Sequence, residues 1–319
     1  MGFTTFVVIA AFLSTVASQA PFDPEEMLFI FTRCMEDNLK DDASRLPTLA
    51  QWKEWEEEPA GDKATHCFAK CILDKTGLYN PSTGKFDADV IKKQSEEYPN
   101  SAAKSKVDEF IKAVQQLPNT DNECTAVFNA YVKVHNDHKT TSKNLFHGNK
   151  ELTTKIYEKL NGQIRQKGQS YFVFCEDKFY PEGSNDRQKL CEIRQYKVLD
   201  DDVFKRHTEC IMKGLRYITK NNQLDREEIK RDFKQVGKDT ASLEQALDNC
   251  KVPSKDIAWE YYKCLVESPV ADDFKEAFDY REIRSQQYGY NLKKKQAYSK
   301  PSVQSQVMEI DGKQCPTAA

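Results

Sequence analysis

Apolar residues recur along this chain at helical intervals, with no long alternating run that would read as a strand. Asp23-Pro24-Glu25-Glu26 opens the first such stretch: an aspartate able to cap, a proline where its missing N–H costs nothing, and acidic residues in the first turn. Leu28, Phe31, Met35 and Leu39 come next at helical spacing. Val107, Phe110, Ile111, Val114 and Leu117 make a cleaner stripe, as do Leu152, Ile156, Leu160 and Ile164, and later Ile229, Phe233 and Val236. The expected fold class is all-α.

The pattern also repeats loosely over half the chain. Cys71-Ile72-Leu73-Asp74, followed by Phe86-Asp87-Ala88-Asp89-Val90-Ile91-Lys92, has a counterpart in Cys210-Ile211-Met212-Lys213, followed by Leu224-Asp225-Arg226-Glu227-Glu228-Ile229-Lys230. In both, a cysteine opens a helix and an apolar-Asp-x-x-x-Ile-Lys segment opens the next. This period is far too long for a solenoid. It implies two related domains, joined near the polar stretch 144–168.

Composition narrows the class. Twelve Gly and twelve Pro in 319 residues favour helices over a turn-rich β fold. The formal net charge of −3, with 30% charged residues, offers no basic stripe for nucleic acid. The first twenty residues carry no charge and hold the apolar run Phe6–Leu13. Val16-Ala17-Ser18 then suits a signal peptidase, so residues 1–18 are expected to be a cleaved leader. That apolar run is short for a span of about 20 residues, and no other segment suggests a membrane partner. Ten cysteines, an even number, suit pairwise oxidation in the secretory pathway.

Cys67-x-x-x-Cys71, preceded by Cys34 and followed by Cys124, resembles the framework of insect odorant-binding proteins. Pro21-Phe22-Asp23-Pro24-Glu25-Glu26, Thr32-Arg33-Cys34-Met35-Glu36-Asp37, Trp52-Lys53-Glu54-Trp55 and Asp279-Tyr280-Arg281 are similar to the long-form D7 salivary proteins of blood-feeding mosquitoes. The resemblance covers essentially the whole mature chain. It implies two tandem disulfide-stapled helical domains, 19–162 and 163–319. The pairing it implies is Cys34–Cys71, Cys67–Cys124, Cys175–Cys210 and Cys250–Cys264. Cys191 and Cys315 remain and are paired, tying the C-terminal tail to the second domain. It further implies a secreted salivary scavenger, a monomer without cofactor. Its partners would be small host mediators of vasoconstriction, platelet activation and inflammation. Biogenic amines (serotonin, histamine, catecholamines) are expected in the second domain, and eicosanoids such as cysteinyl leukotrienes in the first.

An amine pocket needs carboxylates for the cation, aromatic walls for the ring and donors for ring hydroxyls. Phe274 and Phe278 are spaced i,i+4, Glu282 continues their row, and Asp279 lies i,i+3 from Glu282. Spacing alone favours a solvated acidic edge, since most helix carboxylates are exposed. The resemblance places Asp279 and Glu282 on the family's acidic pair. It adds Glu176 as a further acid, Arg194 and His207 as donors, and Tyr262 as a wall. For the lipid, it nominates Trp55 and Lys167, with Leu28, Phe31 and Phe68 as channel residues. Lys70 stands where some relatives carry tyrosine, which argues against thromboxane-type lipids.

His135-x-x-His138 with Asp137 lacks a third well-spaced zinc ligand, and 220–225 lacks the acidic first ligand and glycine of a calcium loop, so no metal is expected. No phosphate loop, dinucleotide fingerprint or nucleophile elbow is present in the sequence, which points away from an enzyme. A protein-binding anti-haemostatic factor and a general odorant or pheromone carrier are the competing readings.

Overall fold

The computed structural model describes residues 20–39, 43–252, 255–286 and 298–315; the expected leader, 1–18, lies outside the described residues. The described chain is helical apart from one two-residue antiparallel pair, Tyr79–Asn80 with Lys85–Phe86. The contacts divide it into two compact units.

The first unit takes in Gln51–Gly148 with the residues up to Asp23. Its frame is α3 (Lys63–Thr76), α4 (Asp89–Glu97), α5 (Lys104–Gln115) and α6 (Cys124–Leu145). α3 begins where the Asp62 carboxylate accepts the Ala64 N–H at 3.2 Å. It ends at Gly77, whose φ of 76° is the left-handed conformation that releases the chain. The Cys67–Cys124 disulfide fastens α3 to α6. Phe110, Val127, Phe128, Val90 and Ile91 fill the space between the helices. The α5 stripe is as expected at Val107, Phe110 and Val114.

The second unit comprises Pro24–Ala50 and Asn149–Ala319. Its helices are α1 (Pro24–Leu39), α7 (Lys150–Lys159), α8 (Tyr171–Phe179), α9 (Lys189–Arg194), α10 (Asp202–Gly214), α11 (Arg226–Gln235), α12 (Thr240–Asn249), α13 (Ile257–Val266), α14 (Ala271–Ser285) and α15 (Lys300–Gln314). The short α2 (Leu46–Lys53) straddles the division between the two units. Membership therefore departs from the linear boundary at 162: Pro24–Ala50 groups with the later unit, as does everything from Asn149. The reason is visible in α1. Buried Glu25 pairs with Arg165 at 2.6 Å, and buried Arg33 pairs with Glu228.

Along α1, Met35 and Leu39 are buried as expected, but the start of the helix differs from the sequence expectation. Met27, Ile30 and Cys34 face inward, whereas Leu28 is 36% exposed. In α7 the buried residues are Thr153 and Tyr157 and not Leu152 and Ile156, because the Tyr157 hydroxyl donates to Glu25.

The repeat is real, with one correction. Counting from Lys63 and Asp202, Cys71 and Cys210 are each the ninth residue of their helix, so neither opens one. The segments beyond these helices match closely. Asp87 N–H donates to Leu78 O and Asp225 N–H to Tyr217 O, both at 2.8 Å. Ile91 and Ile229 then sit fully buried in α4 and α11.

The bridges Cys67–Cys124, Cys175–Cys210, Cys191–Cys315 and Cys250–Cys264 are all present. Cys34 and Cys71 are oxidised as well.

Candidate functional site

Six helices of the second unit surround a small cavity. Ser170 caps α8 by accepting the Val173 N–H at 3.1 Å, and the Cys175–Cys210 bridge fixes that helix against α10. Glu176, the residue after the bridge, thereby points into the cavity at 1% exposure. His207 projects from α10, Tyr262 from α13, and Phe278, Asp279 and Glu282 from α14. Arg194, the last residue of α9, completes the seven residues expected for an amine, and all seven line this one cavity.

The rings form a continuous wall. Phe278 meets Phe172 edge-on at 4.7 Å between centroids, Phe274 at 5.1 Å and Tyr262 at 5.8 Å. Opposite the rings lies the charge. Arg194 Nη2 donates to Glu176 Oε2 at 2.9 Å and to Glu282 Oε1 at 3.0 Å. Its Nη1 donates to Asp311 Oδ1 at 2.7 Å. The Ser170 hydroxyl donates to Glu282 at 3.2 Å, and the Tyr196 hydroxyl to Asp279.

Among the lining residues, four carboxyl groups (Glu176, Asp279, Glu282 and Asp311) thus share a single guanidinium. Burial pushes Glu176 up to about 7 despite Arg194, with Glu282 adding to the rise. Burial likewise pushes Asp279 up to about 7; the Tyr196 hydrogen bond opposes it and Glu282 and Asp311 reinforce it. Glu282 is raised by burial, against the pull of Arg194. Four carboxyl groups face one guanidinium, and a small organic cation would favour their ionised forms.

His207 is 1% exposed, and neither ring nitrogen has a hydrogen-bond partner. Burial, with Arg194 nearby, holds its pKa down to about 3, so the ring is neutral. A neutral imidazole offers one donor and one acceptor to a ligand hydroxyl or indole N–H.

Sequence reasoning passed over Tyr196, Phe172 and Asp311 as lining residues. Tyr196 had a local signal, an aromatic residue two positions after Arg194. It takes φ +63° as the chain leaves α9, which turns its hydroxyl toward Asp279. Asp311 had none, since it lies far along the chain and reaches the cavity only through α15.

The residues expected for a lipid are divided between the two units. Trp55, in the first unit, is half-buried with φ +65°, and its carbonyl accepts His135 Nε2 at 2.9 Å. Its indole packs against Gly148, where a Cβ would come within 2.3 Å of the ring. Phe68 is buried and stacked on Trp52 at 4.0 Å. Lys167, in the second unit, is exposed, with its ammonium 5.2 Å from the Tyr157 ring centroid. Leu28 and Phe31 sit on α1, also in the second unit. Lys70 is committed to Asp74 at 2.6 Å.

Comparison with known proteins adds three findings. The sequence profile of the PBP/GOBP family matches residues 17–132 and 158–268. Long form salivary protein D7L1 of Aedes aegypti is 66% identical over 314 residues, covering 97% of this chain and 98% of that protein. Among solved structures, an AeD7–leukotriene E4 complex superposes with a TM-score of 0.88 at 66% identity, over 93% of this chain and all of that one. A complex of AnSt-D7L1 with U46619 superposes with a TM-score of 0.82 at 32% identity, over 91% and 97%.

Proposed function

This chain belongs to the long-form D7 salivary proteins, within the PBP/GOBP family, and from that premise we propose that it captures host biogenic amines in the cavity of its second unit and an eicosanoid lipid in the N-terminal domain expected from the sequence, 19–162. It is a secreted salivary protein. It acts by binding and not by catalysis, so each molecule removes one mediator per site.

The observation that carries the amine reading is the ring-walled cavity whose four carboxyl groups have one guanidinium between them. A protonated arylethylamine fits that imbalance: its ammonium goes to Glu282, Glu176 and Asp279, and its ring lies on Phe278. A hydroxyl or indole N–H on the ring then reaches His207. Charge-assisted hydrogen bonds contribute about 1.5–3 kcal/mol each. Two or three, with ring burial, reach about −10 to −12 kcal/mol, the nanomolar range that a one-for-one scavenger needs.

Isothermal titration with serotonin tests the reading. Glu282→Ala and Asp279→Ala are each expected to weaken binding by about 10- to 100-fold, one bond's worth. Unchanged affinity in both variants would remove the acidic pair from the mechanism.

Support for the lipid reading comes from the relative solved with leukotriene E4 and from Trp55, whose indole packs against Gly148. Trp55→Ala is expected to weaken leukotriene binding at least tenfold while leaving serotonin binding as it was. Equal loss of both ligands would point to misfolding instead of a lipid contact.

A further inference from the structure

Asp311 is the one carboxylate of the cavity for which the amine reading has no use. It differs from the others in two ways. It sits at the rim, with its side chain 35% exposed, whereas those of Glu176 and Glu282 are 1% and 2% exposed. It also comes from the C-terminal helix α15, outside the α8–α14 set that supplies the other three.

Its position is nevertheless fixed from both sides. Cys191, three residues before Arg194 on α9, is bridged to Cys315, four residues after Asp311. Arg187 Nη2 donates to Gln314 Oε1 at 2.6 Å in the same region. One disulfide therefore ties together the two segments that carry the Arg194–Asp311 ion pair. Val307, one turn earlier on α15, also lines the cavity.

We propose that Asp311 is an affinity-determining residue for cationic ligands: it holds the Arg194 guanidinium at the rim when an ammonium enters, so that Glu176 and Glu282 are released to the ligand. This rests on the amine reading above.

The geometry makes the exchange short. Nη1 of Arg194 is already on Asp311; the Nη2 contacts to Glu176 and Glu282 have to be given up, together with the longer 3.4 Å contact from Nη1 to Glu282 Oε2. The Nε of Arg194 is buried without a partner, so no further bond is broken. The inner carboxylates are dry and the outer one is wet. An ammonium placed between the inner pair gains more than the guanidinium loses by staying at the rim. Without the rim carboxylate, Arg194 has no partner to fall back on and competes with the ligand for the same oxygens.

The test uses the full-length oxidised protein and two ligands of one shape, serotonin and its uncharged alcohol analogue 5-hydroxytryptophol. Asp311→Asn is expected to weaken serotonin at least tenfold and the alcohol by less than twofold. Asp311→Glu is expected to recover most of the serotonin affinity. A merely structural role for Asp311 would weaken both ligands together. Equal loss for the two ligands, or serotonin affinity within twofold of wild type in Asp311→Asn, overturns the proposal. A wild-type protein silent to serotonin fails the amine reading itself, which is a distinguishable result.

Discussion

Glu176 and Asp279 are held near neutrality by the same burial that makes them useful. An ammonium requires them ionised, so binding near pH 7 must expel protons, and affinity must climb from pH 6 to pH 8. The groups facing them are Arg194, Glu282, Asp311 and the Tyr196 hydroxyl. Calorimetry of serotonin in phosphate and in Tris, buffers of different ionisation enthalpy, should show net proton release; identical heats in both would contradict it. The same shifts set how the ligand-free protein's stability varies with pH. Unfolded carboxyls titrate at about 4, so between that value and about 7 the folded chain holds the extra protons. Raising pH through that window removes stability, and bound amine restores it. At this scale the sequence was legible wherever spacing and resemblance coincided, as at Asp279 and Glu282. It was silent at Asp311, because an ion pair across 117 positions leaves no periodic trace.

α14 works on two sides. One carries Phe278, Asp279 and Glu282 into the cavity; the other carries Arg281 and Arg284 into a buried set of charges. There Asp232 of α11, at 0% exposure, accepts the Tyr217 hydroxyl at 2.6 Å, Arg284 at 3.3 Å and Arg281 at 3.5 Å. Arg284 also reaches Glu36 of α1 at 2.8 Å, and Arg281 reaches Glu228 of α11 at 2.9 Å. Removing one member of such a set strands the rest. Asp232→Ala is expected to cost about 3–5 kcal/mol in urea unfolding; a loss under about 1 kcal/mol would show the set to be dispensable. These charges also explain which elements the hydrophobic pattern described well. α5 buries only residues of its predicted stripe, whereas α11 buries Glu228 and Asp232 beside the predicted Ile229 and Phe233. In α1 the stripe held at Met35 and Leu39 and failed at Leu28, because Glu25 and Arg33 turn inward and periodicity counts charges as outward.

For the molecule as a whole, sequence order and packing order differ. Pro24–Ala50 comes first in the chain and groups with the second unit, where it supplies Glu25, Arg33 and Glu36. A fragment cut at the expected boundary, 163–319, would lack all three. Scanning calorimetry should find its transition lowered by more than about 10 °C, or lost; a transition equal to that of the full chain would show these pairs to be incidental. The helical class and two-domain plan were legible because they rest on local spacing and on cysteine arithmetic. The exchange of α1 was not, since nothing in a linear pattern says which unit a helix serves.

The cross-links bear on how long a captured ligand stays. Cys175–Cys210 joins α8 to α10, Cys191–Cys315 joins α9 to α15, and Cys250–Cys264 secures α13. Of the helices lining the cavity, α14 alone has no disulfide within it or at its end; charge pairs and packing hold it. Loosening of that wall is therefore opposed by no covalent link, only by packing and by the ion pairs of Arg281 and Arg284, which do not line the cavity.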